Sequence, residues 1–132
     1  MVEGGDQAAF PAPAIGPMAG RSDWFQWYQV VQGDTLSEIA DFWFGCSQEV
    51  CWRRIWLPNR RTIGEDPNQI SPGQWLRLPF GGFRYRIVRG DTLSQLAEWV
   101  YGDANSWPII WQANPGIPNP NQIPVGLWIW VP

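Results

Sequence analysis

Side chains with the potential for catalysis are few in this sequence. Its 132 residues contain no His, and all nine basic residues are Arg. Without His, the most common general base and metal ligand is missing, which excludes a Ser-His-Asp or Cys-His mechanism within the chain. The carboxylate pairs Glu65 with Asp66 and Glu38 with Asp41 belong to no motif that places them across a cleft, so we expect them at the surface. We therefore predict a non-catalytic protein without a metal or cofactor.

Cys46 and Cys51 are the only two cysteines. They are too few for a zinc site, and their spacing does not match a redox C-x-x-C motif. The sequence leaves two states open for them, a disulfide or a pair of half-buried thiols.

The overall charge is weakly acidic, with a net charge of −3 and an isoelectric point near 4.7. This balance argues against nucleic acid as the main partner, because phosphate binding needs clustered positive charge. Four arginines do lie close together, at positions 53, 54, 60 and 61. We expect them on a solvated helix face and its exit loop, with a specific anionic partner as the alternative.

No targeting or membrane segment is evident. Residues 1–20 lack the positive start and the continuous apolar run of a secretory signal, and no stretch approaches the length of a membrane span. We expect synthesis in the cytoplasm without a signal peptide.

An internal repeat organises the chain. Three blocks of the first copy match three blocks of the second: residues 28–45 with 85–102, 52–59 with 107–114, and 67–79 with 120–132. The first copy carries short insertions only between these blocks, which indicates that the blocks are the structural elements. We predict an extended Pro/Gly-rich arm (residues 1–24), a first module (residues 25–80) and a second module (residues 81–132).

Each module begins with a predicted strand and helix. Short runs rich in β-branched residues favour strands at 28–31 and 85–88, and a Gly-Asp pair ends each of them. Thr35 with Glu38, and Thr92 with Gln95, then form the pattern of a helix-capping box. A helix is therefore expected to start at each Thr.

The helices have one apolar face. The expected inward positions are Leu36, Ile39, Ala40 and Trp43 in the first copy, and Leu93, Leu96, Ala97 and Val100 in the second. Gly45 and Gly102 are expected to end these helices. A second short helix ending near Asn and a final strand from Trp75 or Trp128 complete the predicted order of strand, helix, helix, strand.

Both copies resemble the LysM domain family. The similarity lies in the Gly-Asp-Thr-Leu turn, the second helix that ends in Asn, and the Pro-Asn-Gln-Ile segment before the last strand. The resemblance implies an α+β fold of two tandem βααβ modules, each with a two-stranded antiparallel sheet packed under two helices. It also implies a shallow groove for a chain of N-acetylated sugars, as in peptidoglycan or chitin. The groove residues carried over are Gly33, Asp34, Thr35, Leu36, Asn68, Gln69 and Ile70, and Gly90, Asp91, Thr92, Leu93, Asn121, Gln122 and Ile123.

The same positions have structural explanations. The Asp and Thr of each turn are needed to start a helix whether or not a sugar binds. Trp56 and Trp111 are expected mainly in the core, whereas Trp128 and Trp130 project to the same side of one strand and are harder to bury together. In the first copy, Pro58 is expected to end the second helix early. The connection at 80–84 is too short for independent tumbling of the modules.

Two functions fit these features. The main interpretation is a structural adaptor in the baseplate or hub of a phage tail or injection system, where LysM-like proteins bind other subunits. In that case the arm lies along a neighbouring subunit, with Phe10, Trp24 and Phe25 as anchors. The alternative is a peptidoglycan- or chitin-binding module located at a cell wall.

Overall fold

The computed structural model describes residues 24–132. The first module contains β1 (Phe25–Gln29), α1 (Leu36–Phe44), α2 (Glu49–Trp56), a 3-10 turn (Leu57–Asn59), α3 (Arg60–Ile63) and β2 (Trp75–Pro79). The second module contains β3 (Phe83–Arg86), α4 (Leu93–Tyr101), a 3-10 turn (Ala104–Ser106), α5 (Trp107–Gln112) and β4 (Trp128–Val131). Strand β1 pairs antiparallel with β2, and β3 with β4. The predicted α+β class and βααβ order are confirmed.

Local sequence sets both ends of the first helix in each module. The hydroxyl of Thr35 accepts the backbone N–H of Glu38 at 3.2 Å, and that of Thr92 accepts the N–H of Gln95 at 3.0 Å. Both helices end at a glycine in the left-handed conformation, with φ of 71° at Gly45 and 78° at the equivalent residue of the second module. These helix boundaries are therefore as predicted.

The inward faces of these helices differ at one position. All four expected residues of α4 are buried, as are the first three of α1. Trp43, the fourth, is 36% exposed, and its ring packs edge-on against Tyr28 and Phe80. Trp43 therefore covers the end of the first sheet and does not enter the core.

A buried asparagine joins the second helix to the last strand. The Asn59 amide donates to the carbonyls of Ile55 and Arg77, both at 2.7 Å, and its oxygen accepts the N–H of Arg77 at 2.8 Å. Asn114 makes the equivalent three bonds in the second module. Because its amide oxygen and nitrogen pair with backbone groups of both elements, each Asn fixes helix and sheet relative to each other.

A tryptophan holds the loop that follows this helix. The indole N–H of Trp56 donates to the carbonyl of Gly64 at 2.9 Å, and that of Trp111 donates to Ile117 at the same distance. Trp56 is buried, as expected, whereas Trp111 is half-buried and packs against the core from its edge.

The second helix of the first module ends early, as predicted. Helix α2 stops at Trp56, and Pro58 lies in the first turn of the 3-10 segment that follows, where no backbone N–H is needed. The chain then continues as a separate short helix, α3, through Arg60 to Ile63. This additional turn was not predicted, and it carries Arg60 toward the second module.

The two cysteines are bonded to each other. Cys46 and Cys51 form a disulfide between the end of α1 and the first turn of α2. Of the two states that the sequence left open, the structure has the disulfide.

The two modules share an interface built by the arginine cluster. Helix α2 packs against α4, and the rings of Trp56 and Trp99 meet edge-on with centroids 5.3 Å apart. Arg53 stacks over Trp99 at 4.6 Å, and Arg54 donates to the carbonyls of Gly81 and Pro132 at 3.1 Å. The expectation of a solvated face was therefore wrong for this helix, since its arginines hold the second module.

Candidate functional site

The Asp of each Gly-Asp-Thr turn is bonded within the protein. Asp34 accepts the hydroxyl of Tyr28 at 2.6 Å and the N–H of Val31 at 2.9 Å. Asp91 makes the same pair of bonds with Tyr85 and Val88. Burial, together with this hydrogen bond to the carboxylate, raises the pKa of Tyr28 to about 12. Each Asp thus ties its turn to the preceding strand, whereas the expected role was to start the following helix; that role belongs to the Thr.

Asp91 has a further partner from the other module. Arg60 donates to its second carboxylate oxygen at 3.2 Å and to the hydroxyl of Tyr85 at 2.6 Å. The guanidinium also forms two bonds with Glu65, at 2.6 and 3.1 Å. The turn of the second module is therefore fixed from both sides.

A groove lies beside this turn in the second module. Its volume is about 180 Å³, and it separates the start of α4 from the loop before β4. Five predicted residues line it: Asp91, Thr92, Leu93, Asn121 and Ile123. Two other predicted residues, Gly90 and Gln122, are exposed next to them in the chain. Sequence reasoning missed Ser94, Trp107 and Pro120, which also line the groove.

The groove combines an apolar floor with a polar rim. Leu93 is buried, and Trp107 and Ile123 are half-buried against the core. Thr92 and Asn121 on the rim are exposed. Such a surface suits a sugar ring, whose apolar face packs on side chains while its acetamido and hydroxyl groups form hydrogen bonds.

The loop opposite α4 is held in a defined turn. The N–H of Asn121 donates to the side-chain oxygen of Asn119 at 2.9 Å, and the N–H of Gln122 donates to the backbone carbonyl of Asn119 at 3.0 Å. The groove wall is therefore ordered by its own hydrogen bonds.

In the first module, the corresponding residues occupy equivalent places. Leu36 is buried and Ile70 packs against the core, while Gly33 and Thr35 are exposed in the turn. The exposed residues Asn68 and Gln69 belong to a turn whose N–H groups bond to Asp66, at 2.9 and 3.0 Å.

Two of the three predicted arm anchors lie in the described part of the chain. Trp24 is 73% exposed, and its carbonyl accepts the N–H of Phe80 at 3.0 Å. Phe25 is the first residue of β1, where its ring contacts Trp27 and the guanidinium of Arg77. Phe10 lies outside the described residues.

Two further kinds of site were sought in residues 24–132. No three His, Cys, Asp or Glu side chains there are close enough to hold a metal ion. In the same residues, no helix has the length and apolar character needed to cross a membrane.

Similar proteins include two mycobacterial esterases and a bacterial spore enzyme. Two esterases from two strains of Mycobacterium tuberculosis are each 41% identical to this chain over 102 residues, which is 77% of this chain and 21% of theirs. The crystal structure of the spore cortex-lytic enzyme SleL from Bacillus megaterium matches with 27% identity and a TM-score of 0.33, over 84% of this chain and 23% of that one. The chain thus spans about a fifth of the length of these relatives.

The family is shown by a match at both repeats. The LysM domain family matches residues 28–49 and 85–132. The second match spans α4, α5, β4 and the last two residues of β3, and the first covers the last two residues of β1 and all of α1. The chain therefore belongs to the LysM domain family.

Proposed function

We propose that this protein binds a chain of N-acetylated sugars, as in peptidoglycan or chitin, through the groove of the second module. The observation that carries the proposal is the meeting of the Thr92 turn and the Asn121 loop over an apolar floor. Thr92 and Asn121 are 29 positions apart in the sequence and come together only through the fold. Family membership supports the same ligand class.

The comparisons favour this function over the adaptor interpretation. A LysM domain is a binding module, and neither the family match nor the relatives described above point to a phage tail or injection system. We therefore place the protein at a cell wall. Although two relatives are named esterases, we propose no ester hydrolysis for these 132 residues, because they contain no His to act as a general base.

A substitution that fills the groove tests the proposal. Ser94 is exposed and lines the groove, so Ser94→Leu should occupy the sugar site without disturbing the core. Ser37 is the equivalent residue of the first module and provides the matched control, Ser37→Leu. We expect Ser94→Leu to weaken binding to chito-oligosaccharide by about tenfold or more, and Ser37→Leu to have a much smaller effect. If Ser94→Leu stays folded and binds like the unmodified protein, this groove is not the sugar site.

The two candidate functions also differ in their dependence on the arm. Removing residues 1–23 leaves Trp24 and its bond to Phe80 in place. If the modules bind glycan, retention on insoluble peptidoglycan or chitin should be unchanged. An adaptor would instead lose incorporation into its assembly while both modules stayed folded, and the truncated protein would show no specific wall retention.

A further inference from the structure

The outer faces of the two sheets carry tryptophan and arginine in matching positions. In the first sheet, Trp27 lies opposite Arg77. In the second sheet, Arg84 lies opposite Trp130, and Arg86 lies opposite Trp128. Trp27 and Arg77 correspond in the repeat to Arg84 and Trp130, with the two residue types exchanged between the strands. Each sheet thus presents an aromatic ring beside a guanidinium on the face turned away from its core.

These two faces line one cleft. Its volume is about 270 Å³, larger than that of the groove described above, and side chains of both sheets contribute to it together with the segment from Leu57 to Thr62. Trp75 and Trp128 are 37% and 39% exposed in its walls. The cleft exists only because the modules are packed together.

The cleft is rich in arginine although the protein is acidic. Five of the nine basic residues of the chain line it: Arg60, Arg61, Arg77, Arg84 and Arg86. Arg60 is already paired with Asp91 and Glu65 at the edge of the cleft, and none of the described residues that line the cleft itself is Asp or Glu. Arg61 and Arg86 are exposed, and the Arg86 Nε donates to the backbone carbonyl of Gly126 at 3.3 Å. A guanidinium in this setting can bind a carboxylate with two parallel hydrogen bonds.

The cleft adjoins the sugar groove. Asp91 lines the groove, and it is bonded to Tyr85 and Arg60, which both line the cleft. These three side chains therefore form the wall between the two depressions. A ligand longer than one or two sugars that runs toward Asp91 in the groove would extend over this wall.

We propose that the cleft is a second binding site, for the carboxylates of a peptidoglycan strand held in the neighbouring groove. This inference rests on the proposed function. Peptidoglycan combines sugar rings, which suit exposed Trp faces, with peptide carboxylates, which suit Arg, whereas chitin carries no carboxylate. The cleft thus makes the protein selective for the anionic wall polymer over a neutral glycan.

The test compares three soluble probes by calorimetry on the full chain. They are peptidoglycan fragments with free carboxylates, the same fragments with these groups amidated, and a neutral chito-oligosaccharide. The test variant is Arg61→Gln combined with Arg86→Gln, both at exposed positions. Arg89→Gln is the control, because Arg89 is exposed and its substitution removes one of the same positive charges outside the cleft lining.

We expect the unmodified protein to bind native fragments about tenfold more tightly than amidated ones. This is the effect expected from two exposed ion pairs between arginines of the cleft and carboxylates of the ligand. The double variant should lose this preference and keep its affinity for the amidated and neutral probes, whereas Arg89→Gln should retain it. Higher salt should weaken binding of the native fragments alone. If the double variant does not fold, this salt dependence still decides the question.

Three results would overturn the inference. The preference could persist in the double variant, it could be lost equally in Arg89→Gln, or single-stranded DNA could bind as tightly with the same Arg dependence, which would indicate a nucleic-acid cleft. Failure of the sugar groove gives a different outcome. In that case the neutral probe does not bind, while Arg-dependent binding of the native fragments remains.

Discussion

Removing Arg60 should loosen the packing of the two modules. Its guanidinium joins α3 of the first module to Tyr85 and Asp91 of the second, and it also binds Glu65. Arg60→Met keeps much of the apolar stem and removes all of these bonds. The change therefore tests whether this charge holds the interface.

The expected cost follows from the exposure of each partner. The side chain of Glu65 is 73% exposed, so its ion pair with Arg60 contributes at most about 1 kcal/mol. Asp91 is 4% exposed and Arg60 10%, so their bond is largely desolvated. Asp91 keeps two other hydrogen bonds, from Tyr85 and Val88, and its charge is therefore not left wholly unpaired. We expect a loss of about 2 to 3 kcal/mol, below the full cost of breaking a buried ion pair.

Denaturant unfolding followed by tryptophan fluorescence measures this loss. Arg61→Met is the matched control, since Arg61 is adjacent but exposed, and it should change the free energy of unfolding by less than about 0.5 kcal/mol. A double-mutant cycle with Asp91→Asn should give a coupling energy above about 1 kcal/mol. If Arg60→Met costs no more than the control, or if the coupling is absent, the proposed role of this contact in stability is wrong.

Four further predictions concern stability and titration. The three tyrosines all have a raised pKa, mainly because of burial. The folded protein should therefore show little phenolate absorbance at pH 10, and a tyrosine titration with its midpoint near pH 10 would contradict this. Because the folded-state pKa of Tyr28, about 12, exceeds the unfolded value of 10.0, its contribution to stability is complete below pH 10 and should be lost as the pH rises through 12. Reducing the Cys46–Cys51 bond should lower the free energy of unfolding by about 2 kcal/mol, because the loop that it closes is short, and an unchanged melting temperature in reductant would contradict this. Trp111→Ala should cost about 3 kcal/mol in denaturant unfolding, since the ring packs on the core and bonds to Ile117, and a silent substitution would contradict that packing.

The features that the sequence predicted well are local ones. Thr35 and Thr92 cap helices through bonds to residues three positions away, and the glycines that end these helices follow within the same element. Such contacts depend on short-range geometry, which a sequence pattern records directly. Because the two copies align, the βααβ order predicted for one module applied to the other as well.

The features that were missed depend on partners far along the chain. Asn59 was recognised only as the end of a helix, yet it bonds to a strand residue 18 positions away. Arg60 was assigned to a solvated face, although it forms a hydrogen bond with Asp91, 31 positions away in the sequence. Neither contact produces a periodic pattern in the sequence, because both form only when separate helices and strands pack together. The recurrence of Trp at the start of the last strand in both repeats, Trp75 and Trp128, was the one visible sign of the cleft.

The candidate groove was predicted in part for the same reason. Its turn and loop came from the family resemblance, while Trp107 was not among the predicted groove residues. Its ring does pack against the core, and it also forms part of the groove floor. A half-buried aromatic residue serves both purposes, and periodicity alone does not separate them.

An amide chemical-shift titration with a soluble N-acetylglucosamine oligomer tests the central claim most directly. It reports binding and location together on the unmodified protein. We predict saturable shifts concentrated at residues 91–94, 107 and 120–123, with much weaker changes at the equivalent positions of the first module. Absence of saturable shifts, or shifts confined to the first module, would contradict the assignment of this groove as the sugar-binding site.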